Sequence, residues 1–344
     1  MLQRLSRTDW ALLILLALLA VMPIFFMVTE NDYYLGLATR LVILGIAATS
    51  LNLVLGYGGL ISFGHAAFVG LGAYAVGIPV HHTLFGGAEV LASDNGLFHI
   101  LLAVAISALF ALVTGAICLR TRGVYFIMIT MAFAQMVYYL FISIDTYGAD
   151  DGLVIYTPSN LPMIDLSQPM HIYYLSFVSL LVAIVLVRTI VNSRFGMVLQ
   201  GAKGNTERMK TLGFNVFAYR LVAYTISGAM AGYSGALLAN YEGFISPDLM
   251  DWGQSGELMF MVILGGVATT LGPILGAALF VVLEEGLQVV MNWMEPAVEP
   301  LYVALFNRDL EFEVYWHLPF GLLLIFAVLF VRGGIAGLIR GRKD

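Results

Sequence analysis

The sequence predicts an all-α membrane protein, a polytopic transmembrane helical bundle of about ten spans with the N-terminus and the C-terminus cytoplasmic. Composition, the spacing of charges and the sign of charge in alternate loops support this prediction. Of the 344 residues, 60% are hydrophobic and 11% are charged, whereas a soluble domain has about 25% charged residues. Residues 1–344 are expected to form a single transmembrane domain, because no loop is long enough to fold around its own core.

The spans are expected where the chain lacks charge, since crossing a bilayer takes roughly 20 apolar residues. Uncharged stretches cover 10–29, 41–88, 95–119, 123–144, 166–187, 221–241, 258–283 and 314–331. The second stretch is too long for one span, and the glycine-rich segment 56–59 supplies its break. The stretch at 258–283 is either one long helix or part of two spans that meet near Gly272 and Pro273.

Basic residues decide between nine and ten spans. With ten spans and a cytoplasmic N-terminus, the inward segments hold 14 of the 16 basic residues. These are Arg4, Arg7, Arg120, Arg122, Arg188, Arg194, Lys203, Arg208, Lys210, Arg220, Arg332, Arg340, Arg342 and Lys343. The outer loops collect most of the acidic residues and only Arg308 among the basic ones. This is the positive-inside pattern, and nine spans would place the basic C-terminus outside.

The sequence lacks the motifs of several common catalytic and ligand-binding sites. A phosphate-binding loop and an H-E-x-x-H metal motif are both absent, so we expect no catalytic residues, no cofactor and no metal site. The one cysteine, Cys118, is expected to be a small apolar residue in a helix. Ser62 and His65 could suit an intramembrane hydrolase, but no orienting acid or oxyanion donor is evident. The alternative is that both side chains satisfy backbone groups at a helix break.

Two glycine-rich segments, 51–74 and 255–277, interrupt apolar spans. Broken helices free backbone groups that can line a transport path, whereas small residues also permit tight packing. Both interpretations stay open for 51–74, whereas the glycines of 255–277 resemble packing seams. The candidate residues of a translocation path are Asn52, Gly58, Gly59, Ser62, His65, Gly265 and Gly266. The spacing of Gly228 and Gly232, and of Gly272 and Gly276, is typical of close helix packing.

The inner loop at 193–217 mixes charged and apolar residues at helical spacing. Met209 and Leu212 could form an apolar ridge, and Glu207 could pair with Lys210 at i,i+3. Gly213 is suited to end a short helix. An amphipathic helix of this kind can bind in the groove of a partner protein. The alternative is a solvated loop that carries the inside-positive charge.

Three charged residues fall within predicted spans. A central charge costs roughly 2.5–3.5 kcal/mol on insertion scales, so each should face protein, water or an interface. Arg40 lies near the outer end of its span and is expected to snorkel outward, with binding of a substrate carboxylate as the alternative. Glu284 and Glu285 are expected to form a polar contact between helices or subunits.

Four blocks, taken in order, resemble the permease subunits of bacterial ABC importers for branched-chain amino acids, the LivM type. They are the segment 51–74, the segment Arg122-Gly123-Val124-Tyr125-Phe126, the loop 193–217 and the segment 264–277. The resemblance implies a subunit that carries branched-chain amino acids across the bacterial inner membrane by alternating access. It also implies four partners, namely a second homologous permease, two ATP-binding subunits and a periplasmic substrate-binding protein. The lipid bilayer surrounds such a subunit, and no nucleic acid is implied.

The resemblance further implies that the inner loop couples the permease to the ATP-binding subunits. The residues at matching positions are Arg194, Lys203, Asn205, Glu207, Arg208 and Gly213. Gly204, Met209 and the segment 267–269 depart from the family pattern. Two other functions remain open, a urea or short-amide ABC permease and an ATP-independent channel or secondary transporter.

Overall fold

The computed structural model describes residues 7–29, 31–86, 92–162, 164–306, 317–330 and 333–340. Within these ranges the α-helices are α1 Arg7–Val28, α2 Asp32–Asn52, α3 His65–Phe85, α4 Gly96–Cys118, α5 Val124–Ile142, α6 Pro169–Asn192, α7 Arg194–Gly204, α8 Thr206–Thr211, α9 Val216–Glu242, α10 Trp252–Gly265, α11 Gly272–Phe306, α12 His317–Phe330 and α13 Gly334–Arg340. Several residues used to orient the loops lie outside them, namely Arg4, Arg308, Arg332, Arg342 and Lys343.

The predicted polytopic helical bundle is confirmed. Eight described helices are long and apolar enough to cross a membrane: α1, α2 with the turn that follows it, α3, α4, α5, α6, α9 and α11. Helices α10 and α12 have 14 residues each, about 21 Å at 1.5 Å per residue. They fall at the two remaining predicted spans. The orientation of the termini stays a prediction.

Both long apolar stretches are broken where the sequence places glycines. Helix α2 continues past Asn52 into a π-helical turn, Leu53–Tyr57, and α3 begins only at His65. Helix α10 ends at Gly265 and α11 begins at Gly272, so the stretch 258–283 contains two helices. We call residues 53–64, which comprise the π-helical turn and the irregular segment after it, the first break, and residues 266–271 the second break.

Close backbone contacts hold α3, α4 and α9 together. A Cβ atom added at Gly72 of α3 would lie 1.9 Å from the carbonyl oxygen of Gly232 in α9. One added at Gly228 would lie 2.4 Å from Cβ of Ala111 in α4. Apolar side chains gain little by leaving lipid for protein, so this close packing is a main source of helix association. The predicted packing role of Gly228 and Gly232 is therefore confirmed.

Helices α10 and α11 pack in the same way around their connecting segment. A Cβ atom at Gly276 would lie 1.7 Å from the carbonyl oxygen of Met261, and one at Gly265 would lie 1.7 Å from that of Gly272. A side chain at either glycine would push the two helices apart. The predicted packing of Gly272 and Gly276 is therefore also confirmed.

A two-stranded sheet joins the loop after α5 to the end of α9. Strand β1, Leu153–Val154, pairs antiparallel with β2, Phe244–Ile245. The side chains of Leu153 and Ile245 are buried and lie against Gly77 of α3. This contact anchors the loop on the side that the charge pattern assigns to the outside. At the other end of α4, Cys118 is buried, as expected.

Candidate functional site

Asn52 joins the two helix breaks. Its amide nitrogen donates a hydrogen bond to the carbonyl oxygen of Thr269 at 2.8 Å, and its side-chain oxygen accepts one from the backbone N–H of Ala268 at 2.9 Å. The side chain is 1% exposed. The N–H of Ala268 and the carbonyl oxygen of Thr269, which have no helical partners, are thus both satisfied by one residue of α2.

The backbones at this junction are in direct contact. A Cβ atom at Gly56 would lie 2.1 Å from the side-chain oxygen of Asn52 and 2.7 Å from the backbone nitrogen of Ala268. Ala268 has φ +59°, a left-handed conformation that costs free energy for a residue with a Cβ atom. The first break and the second break therefore form one compact junction.

Lys203 connects this junction to the loop at 193–217. Its ammonium donates a hydrogen bond to the carbonyl oxygen of Gly56 at 2.6 Å. The aliphatic stem crosses Gly59, where an added Cβ atom would lie 2.7 Å from Cγ of Lys203. Gly59 has φ +67°, so a larger residue there would be both strained and in collision with the lysine. The end of α7 is thereby held against the first break.

The inner loop forms the helix pair α7–α8, and each helix starts at a capping side chain. The hydroxyl of Ser193 accepts from the N–H of Gly196 at 3.3 Å, and the side-chain oxygen of Asn205 accepts from the N–H of Arg208 at 2.9 Å. Gly213, with φ +88°, follows the end of α8. The predicted short helix and its glycine terminus are therefore confirmed.

Arg220 ties this helix pair to α9. Its guanidinium donates to the carbonyl oxygen of Ala202 and to the hydroxyl of Thr206, both at 3.1 Å. These acceptors lie at the junction of α7 and α8, where a helix terminus leaves carbonyl groups unpaired. Residues from α9 and from the first break thus both hold the helix pair where α7 meets α8.

Glu207 forms a surface charge cluster on α8. Its carboxylate accepts from Lys210 at 3.1 Å and from Arg122, in the loop before α5, at 3.2 Å. The hydrogen bond from Lys210, followed by that from Arg122, lowers the pKa of this carboxyl below its ordinary value. The predicted pair of Glu207 and Lys210 is confirmed. Because these side chains are exposed, the cluster contributes little to stability.

The exposed apolar surface of the helix pair differs from the predicted ridge. Met209 turns toward α7, where an added Cβ atom on Gly201 would lie 2.8 Å from its sulfur. Leu212 is 63% exposed and Met197 is 61% exposed. The exposed apolar side chains therefore come from both helices, and Met209 contributes to packing between them. Among the remaining coupling candidates, Arg194 begins α7 and Arg208 is exposed on α8.

Ser62 and His65 have different hydrogen-bond partners. The ring Nε2 of His65 lies 3.2 Å from Oγ of Ser50 and 3.0 Å from Oγ of Ser227, whereas Oγ of Ser62 lies 3.4 Å from the hydroxyl of Tyr224. All of these side chains are buried. This arrangement agrees with the packing alternative and not with a serine hydrolase. No group of metal-ligating side chains occurs among the described residues.

Arg40 forms an ion pair within the protein, and its expected snorkelling toward the outer surface stays a prediction. Its guanidinium pairs with the carboxylate of Glu284 in α11 at 3.1 Å, while the hydroxyl of Tyr33 donates a short hydrogen bond to Glu285. The expected polar contact between helices is therefore confirmed, and it joins α2 to α11. Pairing within the protein lowers the cost of charge inside a span.

The candidates for a translocation path separate into four places. Asn52, at the end of α2, lies at the junction with Gly59 of the first break and Gly266 of the second, and Gly265 packs between α10 and α11. Gly58 packs on its own turn, where an added Cβ atom would lie 2.6 Å from the carbonyl oxygen of Val54. Ser62 and His65 belong to the buried contacts with α9.

Sequence patterns missed the contacts that organise this junction. Lys203 was expected to face a partner, and its bond to a backbone carbonyl follows no side-chain pattern. The left-handed conformation of Ala268 has no signal in the sequence, because glycine or asparagine is the usual residue there. The partner of Asn52 lies more than 200 residues away along the chain.

The chain matches a known protein family and several of its members in sequence. The family model described as branched-chain amino acid transport system, permease component, matches residues 33–331. The high-affinity branched-chain amino acid permease LivM of Salmonella typhimurium is 25% identical over 298 residues, which cover 79% of this chain and 68% of LivM. The probable LivM of Methanocaldococcus jannaschii is 24% identical over 84% of this chain and 89% of its own length.

A relative with another substrate in its name also matches. The nucleoside ABC transporter permease NupC of Lactococcus lactis is 29% identical over 139 residues, 36% of this chain and 40% of NupC. No solved structure matches the chain significantly.

Proposed function

Because the chain belongs to the family of branched-chain amino acid transport permease components, we propose that it forms the membrane path of an ABC importer for branched-chain amino acids. The family match covers most of the chain, and LivM proteins are similar to it over about four fifths of its length. The eight apolar helices make it a multi-pass membrane protein, which we place in the bacterial inner membrane.

The contact between Lys203 and Gly56 is the single observation that supports a coupled mechanism. It holds the cytoplasmic helix α7 against the first break, so a force on α7–α8 acts directly on an interrupted span. We assign α7–α8 to the docking site of an ATP-binding subunit. ATP-driven movement of that subunit would displace the helix pair and alternate the access of the path between the two sides.

The partners of this mechanism are separate proteins. A second homologous permease would complete the path, two ATP-binding subunits would supply the driving force, and a periplasmic binding protein would deliver the substrate. The exposed side chains of Leu212 and Met197 suit a partner groove, because an amphipathic helix binds by its apolar face. The basic residues Arg194 and Arg208 flank these positions.

Transport by the reconstituted complex tests this proposal. The chain would be co-purified with its candidate partners, placed in proteoliposomes with ATP on the cytoplasmic side, and supplied with labelled leucine, urea or uridine. We expect uptake of leucine that requires both ATP and an active ATP-binding subunit. Uptake of urea or uridine alone would change the substrate assignment. Leucine uptake that continues without ATP and without the ATP-binding subunits would identify a channel or a secondary transporter instead.

A further inference from the structure

We propose that Lys203 and Asn52 are positioning residues that tie α7, the first break and the second break into one moving unit. The proposal rests on the proposed function, because only a coupled transporter has a displacement to transmit. A shift of α7 then reaches the start of α11 through the side chains of Lys203 and Asn52. Such a pathway requires a test of coupling in addition to proximity.

The first link runs from α7 to the first break. The ammonium of Lys203 bonds the carbonyl oxygen of Gly56 at 2.6 Å, and a charged donor strengthens such a bond. The stem of the lysine lies on Gly59, so the side chain is held along its length as well as at its tip. A shift of α7 must either break this bond or move the π-helical turn that contains Gly56.

The second link runs from α2 to the second break. Asn52, one residue before the π-helical turn, holds the backbone N–H of Ala268 and the carbonyl oxygen of Thr269 at once. Gly56 lies against the same peptide nitrogen. The hydrogen bonds of Asn52 resist separation of the turn from the second break, and the close approach of Gly56 resists movement of the turn toward it. Movement of the turn therefore moves residues 268–269.

Hydrogen bonds of Thr269 hold the second break in a fixed conformation. The hydroxyl of Thr269 donates to the carbonyl oxygen of Gly266 at 2.8 Å and accepts from the N–H of Gly272 at 2.9 Å. Gly272 is the first residue of α11, so the threonine caps this helix. A rigid connection transmits the displacement to α11, whereas a flexible loop would change conformation and leave α11 in place. The structure thus joins a cytoplasmic helix to a membrane-spanning one.

Variants of Lys203 in the assembled complex test the first link. Lys203→Met keeps the stem and removes the donor, Lys203→Arg restores a donor, and Arg188→Met removes a cation that pairs with Asp9 instead of a helix break. We expect Lys203→Met to assemble and hydrolyse ATP but to transport about tenfold less substrate per ATP, within the usual range of coupling free energies. Lys203→Arg should recover part of the ratio, and Arg188→Met should match the wild type. An unchanged ratio in Lys203→Met would overturn the proposal.

Hydrogen exchange at the amide of Ala268 tests the tie itself, with or without nucleotide. We expect faster exchange in Asn52→Leu, which loses the acceptor, and also in Lys203→Met, whose substitution lies on another element. Unchanged exchange at Ala268 in Lys203→Met would overturn the single moving unit. This measurement separates the two proposals. Wild-type uptake that needs no ATP would reject the proposed function, while the exchange result would still decide whether the three elements are tied.

Discussion

The guanidinium of Arg40 in α2 and the carboxylate of Glu284 in α11 form an ion pair, with 3.1 Å between Nη2 and Oε1. The side chain of Glu284 is 11% exposed and that of Arg40 is 34% exposed. The carboxylate is therefore the member that depends more on its partner. Removing one partner of a pair leaves the other charge without compensation, which costs more than the pair contributes.

Stability should fall when Arg40 alone is replaced. Arg40→Met leaves Glu284 without its cation, and we expect a loss of about 1–2 kcal/mol, reduced from fully buried pairs because the arginine is partly solvated. The double variant Arg40→Met with Glu284→Met should recover most of this loss. Chemical unfolding in detergent measures each free energy. Equal free energies of unfolding for the wild type and Arg40→Met would show that the pair does not stabilise the protein.

The contact between α3 and α9 predicts that replacing two helical glycines with alanine will have different effects on stability. Gly72→Ala places a methyl group 1.9 Å from a carbonyl oxygen of α9, and overpacking of this kind costs about 1–3 kcal/mol or more. Gly286→Ala in α11 meets no atom within 4 Å and should leave the unfolding midpoint unchanged or raise it. If both variants unfold together with the wild type, the backbones of α3 and α9 are not in contact.

The buried contacts of His65 predict a preference for a replacement that donates a hydrogen bond. The hydroxyls of Ser50 and Ser227 both donate to backbone carbonyls, so we assign the proton to Nε2 of His65. His65→Leu should lose about 1 kcal/mol, since hydrogen bonds between membrane helices average about 0.6 kcal/mol. His65→Gln should lose less. The same unfolding assay applies, and a more stable His65→Leu would contradict the assignment.

Protonation of Glu207 should begin only in acid. Its bonds to Lys210 and Arg122 lower the pKa of the carboxyl below 4.5. A group whose pKa is lowered on folding contributes stability above its unfolded pKa and loses it as the pH falls through the folded pKa. The cluster should therefore stay intact from about pH 8 to pH 5.

An infrared titration of the wild type against Glu207→Gln measures this carboxyl directly. We expect the titration midpoint of the band that belongs to Glu207 to lie below that of an unpaired glutamate. A midpoint equal to or above that of an unpaired glutamate would show that the cations do not hold the carboxylate. Because the cluster is exposed, the melting temperature of Glu207→Gln should match that of the wild type at pH 7.

Sequence patterns predicted most of the fold for a physical reason. Uncharged runs mark the helices, and Gly56–Gly59 and Gly272 mark their breaks, because a membrane enforces these local rules strongly. The capping of α8 by Asn205 and its end near Gly213 are also local. The contacts of Lys203, Arg40 and Asn52 are not local, since each partner lies on a distant helix. A pattern of residue types identified these side chains as unusual without identifying what they bind.

Cross-linking from the helix pair α7–α8 tests whether ATP-binding subunits act on the permease there. In a Cys118→Ser background, Leu212→Cys would place a thiol on an exposed position of α8's end, and Tyr156→Cys would place a matched one on the opposite side of the predicted topology. A thiol-to-amine reagent would be applied to the intact complex. We expect a product with the ATP-binding subunit from Leu212→Cys alone. A product from Tyr156→Cys, or none from Leu212→Cys in a complex that still hydrolyses ATP, would contradict it.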